Sequence, residues 1–582
     1  MATPTPALKA LIGVVVVGGL AAAGWHLGYK PYAAKSAAAN QPAVVAQAGA
    51  PAAPAVVSMA LVGGIIGGVA PAPKTGGFSL PSLTGKSAAG GAIGTPGNPL
   101  KISFLSFHGY APGLIANGGA METKGGSINE RNGVNVKFNM QDDFPDLTTI
   151  WESGSGHCTV RTSDFWAQIQ PNLRNTNHDG KVVMLLSNTR GGDAIIARNP
   201  AIRSVEDLAG KSVALLQYTP SHGLVIDAIE NSSLSAKKKQ SVKYVFINAD
   251  EGTAGVRAAY ESGKVDAAVL WDPDLSLAQR QGGHVVYSTK TATNLIYDVM
   301  ICDQRVINDK AGNAAIQNLV KGWMEATLVA ENDLNQAADV IVKNEEMFKL
   351  LDQKEGRPFV KSLFTNVDMT GLEDNARILG MAGGTNHYER VYKQFDVIYR
   401  AAGALANPRS PVINPQDSID YSFIKNLLTV NQKVAEAAAV PEERFTEQGL
   451  KAAVTQAPVA ITKPVAIRFE SGSSELNQRA KKQIDEQMVP FIENNGRAYI
   501  EISGNTDSVG SDAVNKPLSQ RRAAVVVDYL VKQWDFPVAR FRVSGNGSAK
   551  PICNEGNPGA DGMSLEECRA ENRTTRVGVY GQ

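Results

Sequence analysis

An acid and a guanidinium near the end of the chain have the types and the spacing to hold one charged ligand. Asp507 lies in a polar, glycine-containing turn that follows a predicted β-strand. A helix is predicted after this turn, with Asn515 as its cap and Pro517 tolerated in its first turn. Arg522 falls on the same face of that helix as Asn515 and Leu518. The loop acid and the helix guanidinium can therefore converge on one ligand.

The surrounding pattern resembles the peptidoglycan-binding domain shared by OmpA, Pal and MotB. The resemblance covers residues 460–582, and its residues in family order are Phe469, Ser473, Glu475, Asn505-Thr506-Asp507, Asn515, Leu518-Ser519, Arg522, Arg540-Phe541, Gly545-Asn546-Gly547, Pro551 and Asn572-Arg573. It implies that Asp507 pairs with the ammonium of the diaminopimelate side chain in the stem peptide and that Arg522 holds its carboxylate. It implies further contacts from Thr506, Asn515 and Asn505, the last standing where the family has histidine. The alternative is that Asp507 and Arg522 form only a surface ion pair, worth less than about 1 kcal/mol.

From Leu100 onward, predicted strands alternate with amphipathic helices, which is typical of an α/β domain. Four segments there are distinctive: Gly109-Tyr110-Ala111-Pro112, residues 204–214 with the pattern Ser-x-Glu-Asp-Leu-x-Gly-Lys-x-Val-Ala, residues 263–273 ending in Trp-Asp-Pro, and Asp420-Tyr421-Ser422-Phe423. They resemble class II periplasmic substrate-binding proteins of ABC importers, in particular the nitrate, sulfonate and taurine group. The resemblance covers residues 98–430. It implies two α/β lobes joined by two crossing strands, with a ligand in the cleft between them.

The loops at the strand ends supply the candidate ligand contacts of this cleft. Helix N-termini and loop amides present partial positive charge there, which favours a small anion, and Asp272 could hold an amine and so favour a zwitterion. Each residue alone also fits a plain helix cap or turn. The predicted contacts are Ser106, His108, Tyr110, Thr162, Ser163, Arg190, Thr219, Ser221, His222, Trp271 and Asp272.

Charge and cysteine content narrow the function class. A net charge of +1 with 19% charged residues gives no indication of nucleic-acid binding. The four cysteines have no metal-ligand spacing, and in an oxidising compartment they predict two disulfides. Cys553 and Cys568 flank an insertion of the kind that two cysteines close in OmpA-like domains. Cys158 and Cys302 lie in separate apolar strands, where a disulfide and two free buried thiols both remain open.

The beginning of the chain predicts a membrane anchor at residues 8–29, with a cleaved signal peptide as the alternative. This segment has no acidic residue, which disfavours a proton-driven motor partner, because such proteins relay protons through an intramembrane carboxylate. Residues 30–98 are rich in Ala, Pro and Gly and predict a flexible linker, which carries an apolar island at 56–69.

The sequence therefore predicts five regions: the anchor at 8–29, the linker at 30–98, a substrate-binding-like domain at 99–440 with its second lobe at 192–294, a linker at 441–462 that leaves the domains loosely coupled, and an OmpA-like domain at 463–582. The resemblances imply a periplasmic protein of a Gram-negative bacterium, anchored in the inner membrane. It would bind a small anionic or zwitterionic solute and peptidoglycan, with an ABC permease or an envelope complex as partner. The alternative is a structural adaptor whose cleft holds no solute. No catalytic motif, cofactor or metal site is predicted.

Overall fold

The structure is a computed structural model that describes residues 91–581, apart from 402, 404, 406, 408, 440–444, 457 and 471. The predicted anchor at 8–29 and most of the predicted linker at 30–98, with its apolar island, lie outside the described residues. Among the helices that the structure does describe, none has the length and apolar character needed to span a membrane.

The described residues form strands β1 to β15. In chain order these are Leu100–Phe104, Val136–Met140, Cys158–Thr162, Gly180–Thr189, Asp193–Ala197, Ser212–Leu216, Lys243–Ile247, Ala267–Trp271, His284–Ser288, Tyr297–Asp303, Val367–Met369, Val459–Val465, Ile500–Asn505, Phe541–Gly547 and Thr575–Tyr580. They make three sheets, two before residue 440 and one after it.

The first two sheets form the two lobes of an α/β domain. The first lobe has the strand order β11-β4-β10-β3-β1-β2, in which β1 is parallel to β2 and β3 while β10 is antiparallel to both of its neighbours. The second lobe has the order β7-β6-β8-β5-β9. The chain crosses from the first lobe to the second between β4 and β5 and returns between β9 and β10. The predicted two-lobed fold is confirmed.

Helices cover these two sheets. They are Ala111–Ala116, Ile128–Arg131, Phe144–Glu152, Ser163–Asn175, Pro220–Glu230, Ala236–Gln240, Gly252–Glu261, Asp274–Arg280, Gln304–Asn308, Lys310–Asn332, Leu334–Asn344, Glu346–Glu355, Arg357–Leu363, Leu372–Ile378, His387–Ala401, Ser422–Val430 and Gln432–Ala438. Side-chain hydrogen bonds at the N-cap fix where several of these helices begin. Asp309, for example, caps the long helix Lys310–Asn332 by accepting the Gly312 N–H at 2.8 Å.

The third sheet, with the order β12-β15-β13-β14, belongs to the carboxyl-terminal α+β domain. Its helices are Glu447–Gln456, Gln478–Gln483, Val489–Asn494, Asp512–Trp534 and Leu565–Asn572, with a π-helical turn at Ile484–Met488. The long helix Asp512–Trp534 connects the parallel strands β13 and β14 and lies directly on them. Gly504 allows this approach, because a Cβ at this position would collide with the Ser519 carbonyl oxygen.

Both disulfides are present. Cys158 and Cys302 join β3 to β10 directly across the first-lobe sheet, where their Cα atoms are paired. Cys553 and Cys568 close a loop in the carboxyl-terminal domain. The pairing left open for Cys158 and Cys302 is thus resolved as a disulfide.

The segment expected to be a linker, 441–462, is ordered over most of its described residues. It contains the helix Glu447–Gln456 and the beginning of β12. The domain that follows makes hydrogen bonds and ion pairs to both lobes, so the expectation of loosely coupled domains is not met. Local patterns carry no sign of these contacts, because they join residues more than a hundred positions apart.

Candidate functional site

A small cavity lies between the two lobes. Its volume is about 40 Å³, room for a few water molecules or the core of a compact solute. Its wall is formed by Leu105, Phe107, Tyr110, Phe144, Arg161, Thr162, Thr189, Asp193, Pro220, Trp271, Ile296 and Asp298. Both lobes contribute, since Pro220 and Trp271 belong to the second lobe and most of the other residues to the first. The wall therefore combines aromatic rings with three ionisable groups.

Two of the ionisable groups are carboxylates. Asp298 in β10 is held by two hydroxyls, Tyr110 donating at 2.8 Å and Ser187 at 2.5 Å. Burial raises the pKa of Asp298 to about 6, because the charged form loses its hydration. Burial and the neighbouring carboxylates also raise the pKa of Asp193, at the start of β5, well above its ordinary range. A cationic group entering the cavity would lower both pKa values and pair with the ionised carboxylates.

The third ionisable group is Arg161 in β3. It is 3% exposed, and its Nη2 donates to Thr148 at 3.2 Å. Its Nε and Nη1 have no hydrogen-bond partner among the described residues. Burial lowers the pKa of the Arg161 guanidinium to about 9, so it still carries its charge at neutral pH. Burial of a guanidinium with two unused donor atoms costs folding free energy, unless an anion binds and accepts hydrogen bonds from them.

Three of the eleven predicted contacts, Tyr110, Thr162 and Trp271, line this cavity. The other eight lie outside its wall. Among the hydroxyls, Ser106 donates to Asp142 at 3.1 Å, and Thr219 donates to a backbone carbonyl at 2.9 Å. Ser163 accepts a backbone N–H at 3.3 Å. Ser221 is buried, without a hydrogen-bond partner for its hydroxyl among the described residues.

The four remaining predicted contacts are also engaged within the protein. Burial lowers the pKa of His108, which packs against two phenylalanine rings, to about 3, and that of His222 to about 4. Arg190 forms an ion pair with Asp368. Asp272 accepts from the backbone and the side chain of the following helix at 3.0 and 2.6 Å. These side chains make contacts within the protein and do not line the cavity, and Asp272 also accepts a hydrogen bond across the lobes from Asn366 at 2.7 Å.

The sequence interpretation missed Arg161, Asp193 and Asp298. The signal was available for two of them, because Arg161 and Asp298 are charged residues within strands that also carry apolar side chains. Charged side chains are rarely buried without a partner, so such positions indicate a site. The predicted ligand contacts lie mostly in loops at the strand ends, whereas Arg161 and Asp298 lie within strands.

In the carboxyl-terminal domain, Asp507 pairs with an arginine that the sequence interpretation did not assign to the site. Asp507 Oδ2 lies 2.6 Å from Arg573 Nη1, and its Oδ1 accepts the Val509 N–H at 3.1 Å. Arg522 instead donates to two carbonyl groups, at 2.9 Å to Ser473 and at 3.2 Å to the neighbouring loop, and its guanidinium stacks on an aromatic ring. The acid and the helix guanidinium thus each have a protein partner of their own.

The remaining predicted residues of this site support the loop that carries Asp507. Asn505 is buried at the end of β13 and hydrogen-bonds to two backbone carbonyls, both at 3.2 Å. Thr506 is buried, and its hydroxyl has no partner among the described residues. Asn515 Nδ2 donates to the Val509 carbonyl at 3.0 Å.

The predicted start of the following helix was wrong. The helix begins at Asp512, with Ser511 at its N-cap, so Asn515 lies inside it and Pro517 is beyond its first turn. Ser511 and Asp512 continue the polar composition of the preceding turn, so local composition alone does not mark the start of the helix.

The comparisons with known proteins divide the chain in the same way. Residues 468–562, which contain β13, the Asp507 loop and the long helix, match the model of the OmpA family. The carboxyl-terminal region is an OmpA family domain. Outer membrane protein A of Shimwellia blattae is 36% identical over 86 residues, which is 14% of this chain and 34% of that protein.

The preceding region is similar to a different kind of protein. A protein of Escherichia coli K12 described as aliphatic sulfonates-binding is 30% identical over 149 residues, which is 26% of this chain and 44% of that protein. The chain thus spans less than half the length of either curated relative. The crystal structure of the periplasmic aliphatic sulphonate binding protein SsuA from Escherichia coli covers 56% of this chain and 99% of its own, with 16% identity and a TM-score of 0.42. The chain joins a region similar to sulfonate-binding proteins to the OmpA family domain.

Proposed function

We propose that this is a cell-envelope protein that binds a compact zwitterionic solute between its two lobes and peptidoglycan through its OmpA family domain. The observation that carries the solute class is the presence of opposite charges in the wall of one cavity, the guanidinium of Arg161 and the carboxyl groups of Asp193 and Asp298. The small cavity favours a compact molecule.

A zwitterion fits this cavity better than a simple anion does. An anionic group completes the two unused donors of Arg161. A simple anion would leave Asp193 and Asp298 without a cationic partner, so that these buried carboxyls would either stay protonated or repel the anion when ionised. An ammonium group on the same molecule would pair with these carboxylates, and the aromatic rings of Tyr110 and Trp271 would contact the carbon atoms between the two charges.

Peptidoglycan binding is proposed for the OmpA family domain on the basis of the family match and the charged loop. Asp507, with Arg573 beside it, would receive the ammonium of the diaminopimelate side chain. Arg522 would exchange its carbonyl partners for the carboxylate, because a charged acceptor forms the stronger hydrogen bond. Thr506, Asn505 and Asn515 would hold the loop in place.

This function places the protein in the periplasm, where it would take part in solute uptake or sensing. The similarity to sulfonate-binding proteins supports a role beside an ABC permease, and the segment at 8–29 would anchor the chain in the inner membrane. Closure of the lobes on the solute needs only a higher affinity for the closed state. No catalytic role is part of this proposal.

Co-sedimentation of the full-length protein with purified peptidoglycan tests the wall-binding part. The double variant Asp507→Ala/Arg522→Ala is expected to stay in the supernatant, because both charge-assisted contacts are lost. Asp528→Ala, an exposed acid on the same long helix, is the matched control and should pellet like the wild type. Unchanged pelleting of the double variant would remove the assignment.

A further inference from the structure

The OmpA family domain contacts the second crossing between the lobes. Asn294, which lies in this crossing, donates its backbone N–H to the Asn494 carbonyl at 3.1 Å and its side-chain amide to the Glu493 carbonyl at 2.8 Å. Gly496 lets the two surfaces meet, since a Cβ at this position would lie 2.5 Å from the Asn294 side chain. Rotation of one lobe about this crossing must therefore move the contacts between Asn294 and the OmpA family domain.

The same segment of the domain also holds the first lobe. Arg390 Nε lies 3.5 Å from Glu493 Oε2, and both side chains are nearly buried, at 13% and 11% exposure. Thr385 donates to the other oxygen of Glu493 at 2.6 Å. Asp368, in the edge strand β11, lies 3.5 Å from Arg497. A nearly buried ion pair constrains the relative position of the groups that it joins, because separation would leave both charges without a partner.

The second lobe is held by separate contacts. Tyr287, in β9, donates to Asn495 at 2.9 Å. Lys463, in β12, donates to Asn231 at 2.6 Å. The loop closed by the Cys553–Cys568 disulfide adds an ion pair of 2.9 Å between Asp561 and Lys238. One folded domain is thus attached to both lobes and to the second crossing between them.

The cleft is closed in this arrangement. Across it, Asn366 of the first lobe donates to Asp272 of the second lobe at 2.7 Å. Arg280 of the second lobe pairs with Glu355 of the first at 3.0 Å. Opening of the lobes would break these contacts. Because the OmpA family domain is attached to both lobes, opening would also strain its contacts with one lobe or the other.

We propose that the OmpA family domain is a hinge lock, which keeps the two lobes closed until it releases one of them. The proposal rests on the proposed solute-binding function, because a closed cleft matters only if a solute must enter or leave it. Attachment to the cell wall and solute exchange would then be coupled through a shared intramolecular interface, and a force on the wall-binding domain would favour opening. Coupling of this kind requires only that the interface is made in one lobe arrangement and lost in the other.

The distance between the lobes, measured by pulsed electron paramagnetic resonance on the full-length protein without added solute, tests this lock. Spin labels at Ser262→Cys in the second lobe and Leu350→Cys in the first report lobe separation, and both sites are exposed. The four native cysteines are paired in disulfides, so the spin labels react only with the two introduced cysteines. The otherwise wild-type protein should give one narrow distance distribution.

Two variants should add a population at longer distance. Glu493→Ala/Asn494→Ala removes the side-chain contacts to Arg390 and Thr385 of the first lobe. It keeps the backbone carbonyls that Asn294 contacts at the crossing. Lys238→Glu, at an exposed position, sets like charges against Asp561 and acts on the second lobe alone, so it covers the case in which the buried double variant does not fold. Glu486→Ala, an exposed acid on the same helical segment, is the control and should match the wild type.

A wild-type distribution in both interface variants would overturn the lock. A broad distribution in the wild type would overturn it as well. The distance measurement needs no solute. A failure to find a solute would therefore count against the proposed function but would not affect the interpretation of the measured distances.

Discussion

Replacement of Asp298 by Asn should change how the stability of the protein depends on pH. Burial raises the pKa of the folded-state carboxyl from its ordinary value of 3.8 to about 6. The folded protein therefore binds a proton more tightly than the unfolded chain does. The stabilising contribution of this proton is fully present below pH 3.8 and is lost as the pH rises through about 6.

The size of the effect follows from the two pKa values. Between pH 5 and pH 7.5 the wild type should lose on the order of 1 kcal/mol of unfolding free energy through this one carboxyl. The amide that replaces it does not titrate, so Asp298→Asn should lack this part of the loss. The amide can still accept one of the two hydroxyl hydrogen bonds that Tyr110 and Ser187 make.

Urea unfolding of the full-length protein at pH 5 and pH 7.5, followed by tryptophan fluorescence, measures the difference. Asp528→Asn, at an exposed position on the helix Asp512–Trp534, is the control and should follow the wild type. If Asp298→Asn loses as much stability as the wild type between these pH values, the buried carboxyl does not bind the proton and the electrostatic description of the cavity is wrong.

Two further predictions concern the OmpA family domain. Cys553→Ser opens a loop with a sequence separation of 15 and should lower the free energy of unfolding of the domain by about 3 kcal/mol, and an unchanged urea midpoint would contradict this. Gly504→Ala should destabilise the domain by at least about 1–3 kcal/mol, because the new methyl group would collide with the Ser519 carbonyl. Gly559→Ala, with no neighbouring atom within 4 Å of its Cβ, is the control, and equal stability of the two alanine variants would refute the packing argument.

The fold was predictable from the sequence because its signals are local. Strand and helix alternation indicated the α/β class, and the motif around Asp507 and Arg522 indicated the OmpA family domain. The Cys553–Cys568 disulfide also followed from its position at the two ends of one insertion.

The candidate solute site was predicted less well, because it depends on packing between distant elements. Tyr110 and Trp271 line the cavity as expected, but His108 and His222 are enclosed by aromatic side chains of other elements. Neither spacing nor residue type distinguishes a histidine in a cleft from one in a core. Asp298 shows the converse case, a cavity residue inside a strand whose other side chains are buried.

The contacts between the OmpA family domain and the lobes could not be predicted from local sequence patterns. Arg390 and Glu493 are separated by about a hundred residues, and each has the appearance of an ordinary helix-surface charge when read alone. Only the tertiary structure shows that they meet in a nearly buried ion pair. A linker of modest length is compatible with either docked or independent domains.

Calorimetric titration of the full-length protein with taurine and with ethanesulfonate, at pH 5 and pH 7.5, tests the central claim most directly. The two probes share a two-carbon sulfonate and differ in the ammonium group. We predict that taurine binds about 10-fold to 100-fold more tightly, since a hydrogen bond to a charged group contributes about 1.5–3 kcal/mol. Taurine affinity should also rise from pH 5 to pH 7.5, because Asp298 must ionise to pair with the ammonium. Equal affinities for the two probes, or no binding of either by both the wild type and the Lys238→Glu variant, would contradict a zwitterion site formed by Arg161 and the two carboxylates.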